Sequence, residues 1–231
     1  MEKTYKVGYR VHLYERLQKV NFHGELTFPI YIQVTFDRKS IIFKSYYFEL
    51  FSKPRYGKNL QGRKYGPVIK DIIETENRLI DFIIDKNIED FSLDLFKKEY
   101  DFYCRDLCDL AEEGFIDYVF TYFNDQGLPA FAETLKKGGK LGLLSDLMND
   151  MKTALKANIY NKFIENSFHY APPYLTLNNF VQHTKKWPLR YFSVMEWHDD
   201  KIKQTFETFI NKHFKYSDIQ KIREEIVLLS M

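Results

Sequence analysis

Residues 24–51 constrain the fold most, because they form two segments of alternating apolar and polar side chains joined by a short polar connection. An alternation with a period of two is typical of strands buried on one face only. In the first segment the buried face would consist of Ile30, Ile32, Val34 and Phe36. In the second, Ile41 and Phe43 alternate with Ile42, Lys44 and Tyr46. With residues 37–40 as the turn, the stretch predicts a β-hairpin.

A third strand is predicted near the amino terminus, where Tyr5, Val7, Tyr9, Val11 and Leu13 alternate with polar residues. A three-stranded sheet with one buried face needs a cover. From Pro67 to Asn87 apolar residues repeat at helical spacing, and this segment is predicted to be the covering helix. The fold class predicted is α+β, with an N-terminal three-stranded antiparallel sheet and a helical remainder.

Further boundaries follow from turn and cap signals. We expect a polar connection at 14–23, an exposed basic loop at 52–66 and a flexible turn at 136–140. Ser92 is predicted to cap a helix through Leu110, with a helical pattern resuming at 115–123. Later helices are predicted over 130–136, 143–163, 176–187 and 199–214, and Ser217 with Gln220 predicts a capping box for the last one.

Composition narrows the function classes. At 231 residues and 45% hydrophobic content the chain can bury a substantial core. It has no apolar run near the ~20 residues of a membrane span, and its first ten residues lack a signal-peptide pattern, so we expect a cytoplasmic protein without membrane partners. Cys104 and Cys108 are spaced four apart on a predicted helix without nearby ligands. We therefore expect buried thiols and no metal site there. Separately, we expect no cofactor and no small-molecule ligand.

Charge is divided unevenly along the chain. Residues 1–70 contain fourteen basic and five acidic groups, a formal charge of +9, whereas the remaining 161 residues carry −7. This asymmetry is expected when one part of a protein meets a polyanion, although a merely solvated surface is the alternative.

The basic residues and the polar sheet face together predict a duplex DNA interface. Base edges would be read by Tyr31, Gln33, Thr35 and Lys44, and phosphates would pair with Arg10, Arg38, Lys39, Lys53 and Arg55. The predicted DNA-binding residues are Lys6, Arg10, His12, Tyr31, Gln33, Thr35, Arg38, Lys39, Lys44, Lys53, Arg55, Arg63 and Lys64. For His12, an ordinary surface histidine is the alternative.

Residues 1 to about 170 resemble the non-catalytic front half of Bacteroidetes-type tyrosine recombinases, the integrases of conjugative transposons and phages. The resemblance lies in Gly24-Glu25, the run Pro29-Ile30-Tyr31-Ile32-Gln33-Val34-Thr35-Phe36, the helical hairpin at 72–86 and 92–100, the helix at 143–163, and Glu165-Asn166-Ser167-Phe168, where the family usually has proline in place of Ser167. It implies an arm-type DNA-binding sheet followed by a SAM-like core-binding region.

The family's catalytic domain would need far more chain than residues 172–231 provide. His183-Thr184-Lys185-Lys186 and His198-Asp199-Asp200-Lys201 both lack the arginine of its His-x-x-Arg box, and Tyr191 and Tyr216 are interpreted as packing residues. We therefore expect no enzyme activity. The predicted domains are a DNA-binding sheet at 1–66, a helical hairpin at 67–100, a SAM-like region at 101–170 and a helical extension at 171–231.

The resulting hypothesis is a non-catalytic DNA-binding protein of a mobile element, with duplex DNA and recombinase subunits as partners. The alternative is a protein-interaction module of a phage or transposon assembly. No constellation of residues indicates a third class.

Overall fold

The computed structural model describes residues 6–53, 56–60, 63–141, 144–186, 188–214 and 218–230. An N-terminal three-stranded antiparallel sheet is followed by helices, which confirms the predicted α+β class. The chain divides into two compact units, the first ending at Cys104 and the second beginning at Arg105, with Pro188 and Leu189 grouped with the first. The four-part division of the chain stays a prediction.

The sheet consists of β1 (Gly8–Leu13), β4 (Ile30–Phe36) and β5 (Lys39–Lys44), with β4 in the centre. Ile30, Ile32 and Val34 are fully buried, as the alternation predicts. Both neighbours of β4 run antiparallel to it, so one face of the whole layer is apolar.

The turn between β4 and β5 is tighter than predicted. Asp37 and Arg38 have φ of 45° and 62°, and they alone connect the strands. A two-residue turn with two positive φ angles matches the right-handed twist of a hairpin. Lys39 and Ser40 therefore belong to β5, and the predicted four-residue turn is wrong.

β5, the second strand of the predicted hairpin, also ends earlier than predicted. Ser45 caps α1 (Tyr46–Phe51), since its Oγ accepts a hydrogen bond from Phe48 N at 2.9 Å. A side-chain oxygen at this position satisfies an otherwise unpaired N–H of the first helical turn. The helix buries Tyr47, Phe48, Leu50 and Phe51, so Tyr46 begins a helix and does not continue β5.

Two short hairpins lie where connections were predicted. β2 (Val20–Phe22) pairs with β3 (Glu25–Thr27), and β6 (Lys58–Leu60) pairs with β7 (Arg63–Tyr65). Aromatic packing holds the β2–β3 hairpin in place: the Phe22 ring stacks on the Phe48 ring with centroids 5.3 Å apart. Tyr56, inside the predicted exposed loop, is 2% exposed. The predicted polar connection at 14–23 thus ends in β2, and the predicted exposed loop at 52–66 contains β6, β7 and the buried Tyr56.

Two helices lie against the first unit's core. α2 (Ile69–Lys86) buries Ile72, Leu79, Ile80 and Ile83, as the helical spacing predicts, although it begins two residues after Pro67. α3 (Leu93–Tyr103) is capped by Ser92, whose Oγ accepts from Leu95 N at 3.2 Å. Tyr100 of α3 contacts the Phe43 ring at 4.8 Å, which covers the apolar face of β5.

The second unit is helical. Its helices are α4 (Leu107–Asp125), α5 (Pro129–Leu141), α6 (Leu144–Ala154), α7 (Ala157–Tyr170), α8 (Tyr174–Thr184), α9 (Val194–Trp197), α10 (Asp200–His213) and α11 (Ile219–Ser230). Phe163 of α7 is fully buried, and the rings of Phe115, Tyr122 and Phe123 of α4 surround it. None of the helices in the described part of the chain is long and apolar enough to cross a membrane.

Three helical predictions need correction. Cys104 ends α3 and Cys108 lies in α4, so the two buried cysteines are not on one helix. The predicted turn at 136–140 lies inside α5, where Gly139 packs against Ile116.

The predicted helix at 143–163 is divided into α6 and α7, with Lys156 as the N-cap of α7. Ser217 of the predicted capping box lies outside the described residues. Asp218 supplies an N-terminal acceptor instead, since its Oδ1 accepts from Gln220 N at 2.9 Å.

Candidate nucleic-acid interface

The register of the sheet arranges the polar residues in three rows across the strands. One row is Gly8, Thr35 and Ser40, the second is Arg10, Gln33 and Ile42, and the third is His12, Tyr31 and Lys44. Because side chains alternate along each strand, all three rows lie on the face opposite Ile32 and Val34. We call this surface the polar face.

The polar face is accessible. Arg10, Ser40, Ile42 and Lys44 are exposed, and the central-strand residues between them are half-buried. Neighbouring strands lie about 4.8 Å apart, so the outer strands are about 10 Å apart, close to the ~12 Å width of the DNA major groove.

Some of these side chains already have partners. Lys44 Nζ lies 2.5 Å from Glu49 Oε1, and both side chains are largely exposed. Thr35 Oγ1 and Ser40 Oγ are 2.7 Å apart. In contrast, no described residue forms a hydrogen bond or ion pair with the side chain of Arg10 or Gln33. The second row therefore contains the guanidinium and the amide that are most available to bind a partner.

Aromatic rings border the third row. Tyr14 lies 4.7 Å from Tyr31 and 5.9 Å from His12, measured between ring centroids. Nδ1 of His12 is buried without a hydrogen-bond partner among the described residues. Ring contacts therefore hold the imidazole in place.

Basic residues gather at the end of the sheet that carries the β4–β5 turn. Arg38 and Lys39 are exposed there, and exposed Lys6 precedes β1 near the same end. Gly8 begins β1 opposite Thr35, and a Cβ added to it would meet no atom within 4 Å. This end is open to solvent and cationic.

The remaining predicted residues are not in the three rows. Lys53 is exposed after α1, and Arg55 lies outside the described residues. Arg63 and Lys64 belong to β7, which pairs only with β6 in the described sheets. The structure thus brings together Arg10, His12, Tyr31, Gln33, Thr35 and Lys44, with Lys6, Arg38 and Lys39 at one end.

Three neighbours are absent from the predicted DNA-binding residues. Ser40 and Ile42 occupy the polar face by register, and Ile42 is 49% exposed. Side chains alternate between the two faces of β5, so residues 40 and 42 lie opposite Phe43. That alternation alone could have placed both on the polar face. Tyr14 follows β1, and no local signal indicates its ring contact with Tyr31.

A buried carboxylate links the helices that cover the apolar face of the sheet. Glu76 of α2 is 0% exposed, and its Oε1 accepts from Ser45 Oγ at 2.5 Å and Tyr47 N at 3.2 Å, while Tyr100 OH lies 2.9 Å from each carboxylate oxygen. Burial raises the pKa of Glu76 to about 7, against the lowering effect of the hydrogen bonds from Ser45, Tyr100 and Tyr47. The network joins α1, α2 and α3 behind the sheet.

Within the described residues, no group of three or more His, Cys, Asp or Glu side chains is arranged to hold a metal ion. Comparison of the chain with protein-family models, curated proteins and solved structures gives no match.

Proposed function

We propose that the chain is a non-catalytic DNA-binding protein, related to the tyrosine recombinases of mobile elements, that engages duplex DNA through the polar face. The observation that carries the proposal is the second row, where Arg10 and Gln33 lie side by side without partners among the described residues. An amide such as that of Gln33 can read base edges in the major groove, and a guanidinium such as that of Arg10 can pair with a phosphate.

Charge supports a polyanionic partner. Arg10, Arg38, Lys39, Lys6 and Lys44 would supply about five phosphate contacts, so log affinity should fall against log salt with a slope of roughly −4 to −5. Because Lys44 already pairs with Glu49, its contribution would be the weakest of the five.

The second candidate is a protein-interaction module. Ile42, which is 49% exposed in the middle row of the polar face, favours it, as does the contact between the Tyr14 and Tyr31 rings. Exposed apolar and tyrosine side chains are common at protein interfaces.

Titration of a fluorescent duplex of mixed sequence at several salt concentrations tests the proposal. The variant R10E/K39E removes one cation from the polar face and one from the end of the sheet that carries the β4–β5 turn. It should weaken binding at low salt by more than tenfold, with a slope that is shallower by about 2. The matched control K98E/K137E makes the same change of net charge at exposed positions of α3 and α5.

A slope near zero for the wild type would reject DNA binding. Equal losses in both double variants would show that net charge matters and the polar face does not. Concentration-dependent self-association that Ile42→Glu abolishes, without DNA binding, would support the interaction module.

A further inference from the structure

A groove of about 550 Å³ lies in the second unit, between α4 and α7. Its volume falls within the ~300–1,000 Å³ typical of ligand sites. Tyr118 and Tyr122 lie along one side, and Asn166 and Tyr170 along the other. The proposed DNA contact uses none of these residues.

The groove has a negative lining. Asp117 and Asp125 line it, and no lysine or arginine does. Lys136 approaches from α5 and places Nζ 2.9 Å from Asp117 Oδ1, which lowers the pKa of Asp117 and leaves it ionised. Asp125 is exposed and has no ion-pair partner among the described residues.

The dipole of α4 adds to the negative potential of the groove. α4 ends at Asp125 with no basic residue in its last turn, so the negative end of its dipole lies at the groove. A cation in the groove would meet one unpaired carboxylate and a helix C-terminus together.

The tyrosines are arranged to receive a flat or long cationic side chain. Tyr170 is 75% exposed, which is unusual for so large a ring. Tyr118 is held by its OH, which donates to Asn166 Oδ1 at 2.8 Å. That bond leaves the Asn166 amide N–H groups as donors for a peptide carbonyl. Tyrosine faces bind guanidinium and ammonium groups through their quadrupole.

We infer that this groove binds an arginine- or lysine-containing peptide segment of a partner protein. One arginine or lysine side chain pairs with Asp125 where α4 ends, and a second lies on the Tyr170 ring toward the other end of the groove. Asn166 donates to the peptide backbone between them. Charge complementarity selects the partner: a basic segment gains from the lining, and an acidic one is repelled.

Fluorescence anisotropy with two capped peptides, Gly-Arg-Ser-Arg-Gly and Gly-Glu-Ser-Glu-Gly, tests the inference. The arginine peptide should bind and the glutamate peptide should not. Asp125→Lys should weaken the arginine peptide roughly tenfold, because it replaces an attraction with a repulsion. Tyr170→Ala should weaken it about threefold through loss of the cation–π contact.

The matched control is Asp150→Lys, the same charge change at an exposed position of α6. It should leave peptide affinity within about twofold of wild type. Asp125→Asn, which removes the charge without adding one, serves as a second variant if Asp125→Lys does not fold by circular dichroism.

Equal binding of the two peptides, no binding of either, or equal losses in Asp125→Lys and Asp150→Lys would overturn the inference. Self-association in analytical ultracentrifugation that Asp125→Lys abolishes would also overturn it, since a second copy would then be the occupant. None of these results depends on DNA binding.

Discussion

The Ser45 hydroxyl donates a hydrogen bond to the buried Glu76 carboxylate, with Ser45 Oγ 2.5 Å from Glu76 Oε1, although the two residues are 31 positions apart in the chain. The same hydroxyl accepts from Phe48 N and so begins α1. One serine therefore ends β5, caps a helix and anchors that junction to α2. This anchor keeps the apolar side of the sheet covered while the polar face stays open.

Glu76 should make stability depend on pH. Burial raises its pKa from 4.5 to about 7, so the folded state binds the proton more tightly than the unfolded state does. The stabilisation is complete below pH 4.5 and is lost as pH rises to about 7. Glu76→Gln should remove this component, so the free energy of unfolding of the variant should fall less than that of wild type over this range.

Urea denaturation at several pH values measures the difference. Glu74→Gln is the matched control, since Glu74 lies on the same helix in an exposed pair with Lys70. It should retain the wild-type decrease. Parallel pH profiles for wild type and Glu76→Gln would contradict the assignment of the titration to Glu76.

The two neighbouring glycines of α5 should respond differently to alanine. A Cβ at Gly138 would lie 3.9 Å from Leu147 Cδ1, an ordinary contact, whereas a Cβ at Gly139 would lie 3.1 Å from Ile116 Cγ1. Glycine inside a helix costs roughly 0.5–1 kcal/mol relative to alanine. Gly138→Ala should therefore stabilise the protein by up to about that amount, and Gly139→Ala should be the less stable of the two.

Thermal and urea unfolding of the two variants provide the comparison, with each serving as the other's control. If Gly139→Ala proved the more stable, the close packing of α5 on α4 at Ile116 would be refuted.

The local alternation of apolar and polar residues was sufficient to predict the three-stranded sheet. Ile30, Ile32 and Val34 alternate with polar residues, and burial on one side leaves only one arrangement of the faces. Glu76 falls at a buried position of the predicted α2 pattern, but its partners lie at Ser45, Tyr47 and Tyr100. Helical spacing could therefore indicate that it is buried, and only the tertiary structure shows why a carboxylate is tolerated there.

The errors arose where tertiary contacts override local signals. Gly138 and Gly139 favour a turn by propensity, yet both lie inside α5, where Gly139 packs closely on Ile116. Phe22 and Tyr56, next to the short strands, contact aromatic rings of α1. Hydrophobic periodicity in the sequence does not predict such contacts. On the polar face, register adds Ser40 and Ile42, while the predicted Arg63 and Lys64 belong to a separate hairpin.

Asp106 should contribute more to stability than an ordinary helix cap. It is 1% exposed, and its Oδ1 accepts from Cys108 N at 3.3 Å and from Phe192 N at 3.1 Å, 86 residues away. Asp106→Ala should leave buried N–H groups unsatisfied and cost about 2–4 kcal/mol. Asp199 caps α10 at an exposed position, and Asp199→Ala should cost about 1 kcal/mol.

Chemical denaturation of both variants measures the contrast. Similar losses would mean that the bond to the Phe192 segment adds nothing beyond capping.

A gain of function at Gly8 tests the polar face without removing any native contact. Gly8 begins β1 opposite Thr35, and its missing Cβ faces open space, so Gly8→Arg should fold normally and add a cation beside Arg38 and Lys39. If DNA lies on this face, the variant should bind more tightly at low salt, and the salt slope should steepen by about 1 for one further phosphate contact. Asn149→Arg adds the same charge at an exposed position of α6 and should leave the slope unchanged. Should the two variants tighten binding equally, the gain would come from net charge, and the polar face would not be where duplex DNA is held.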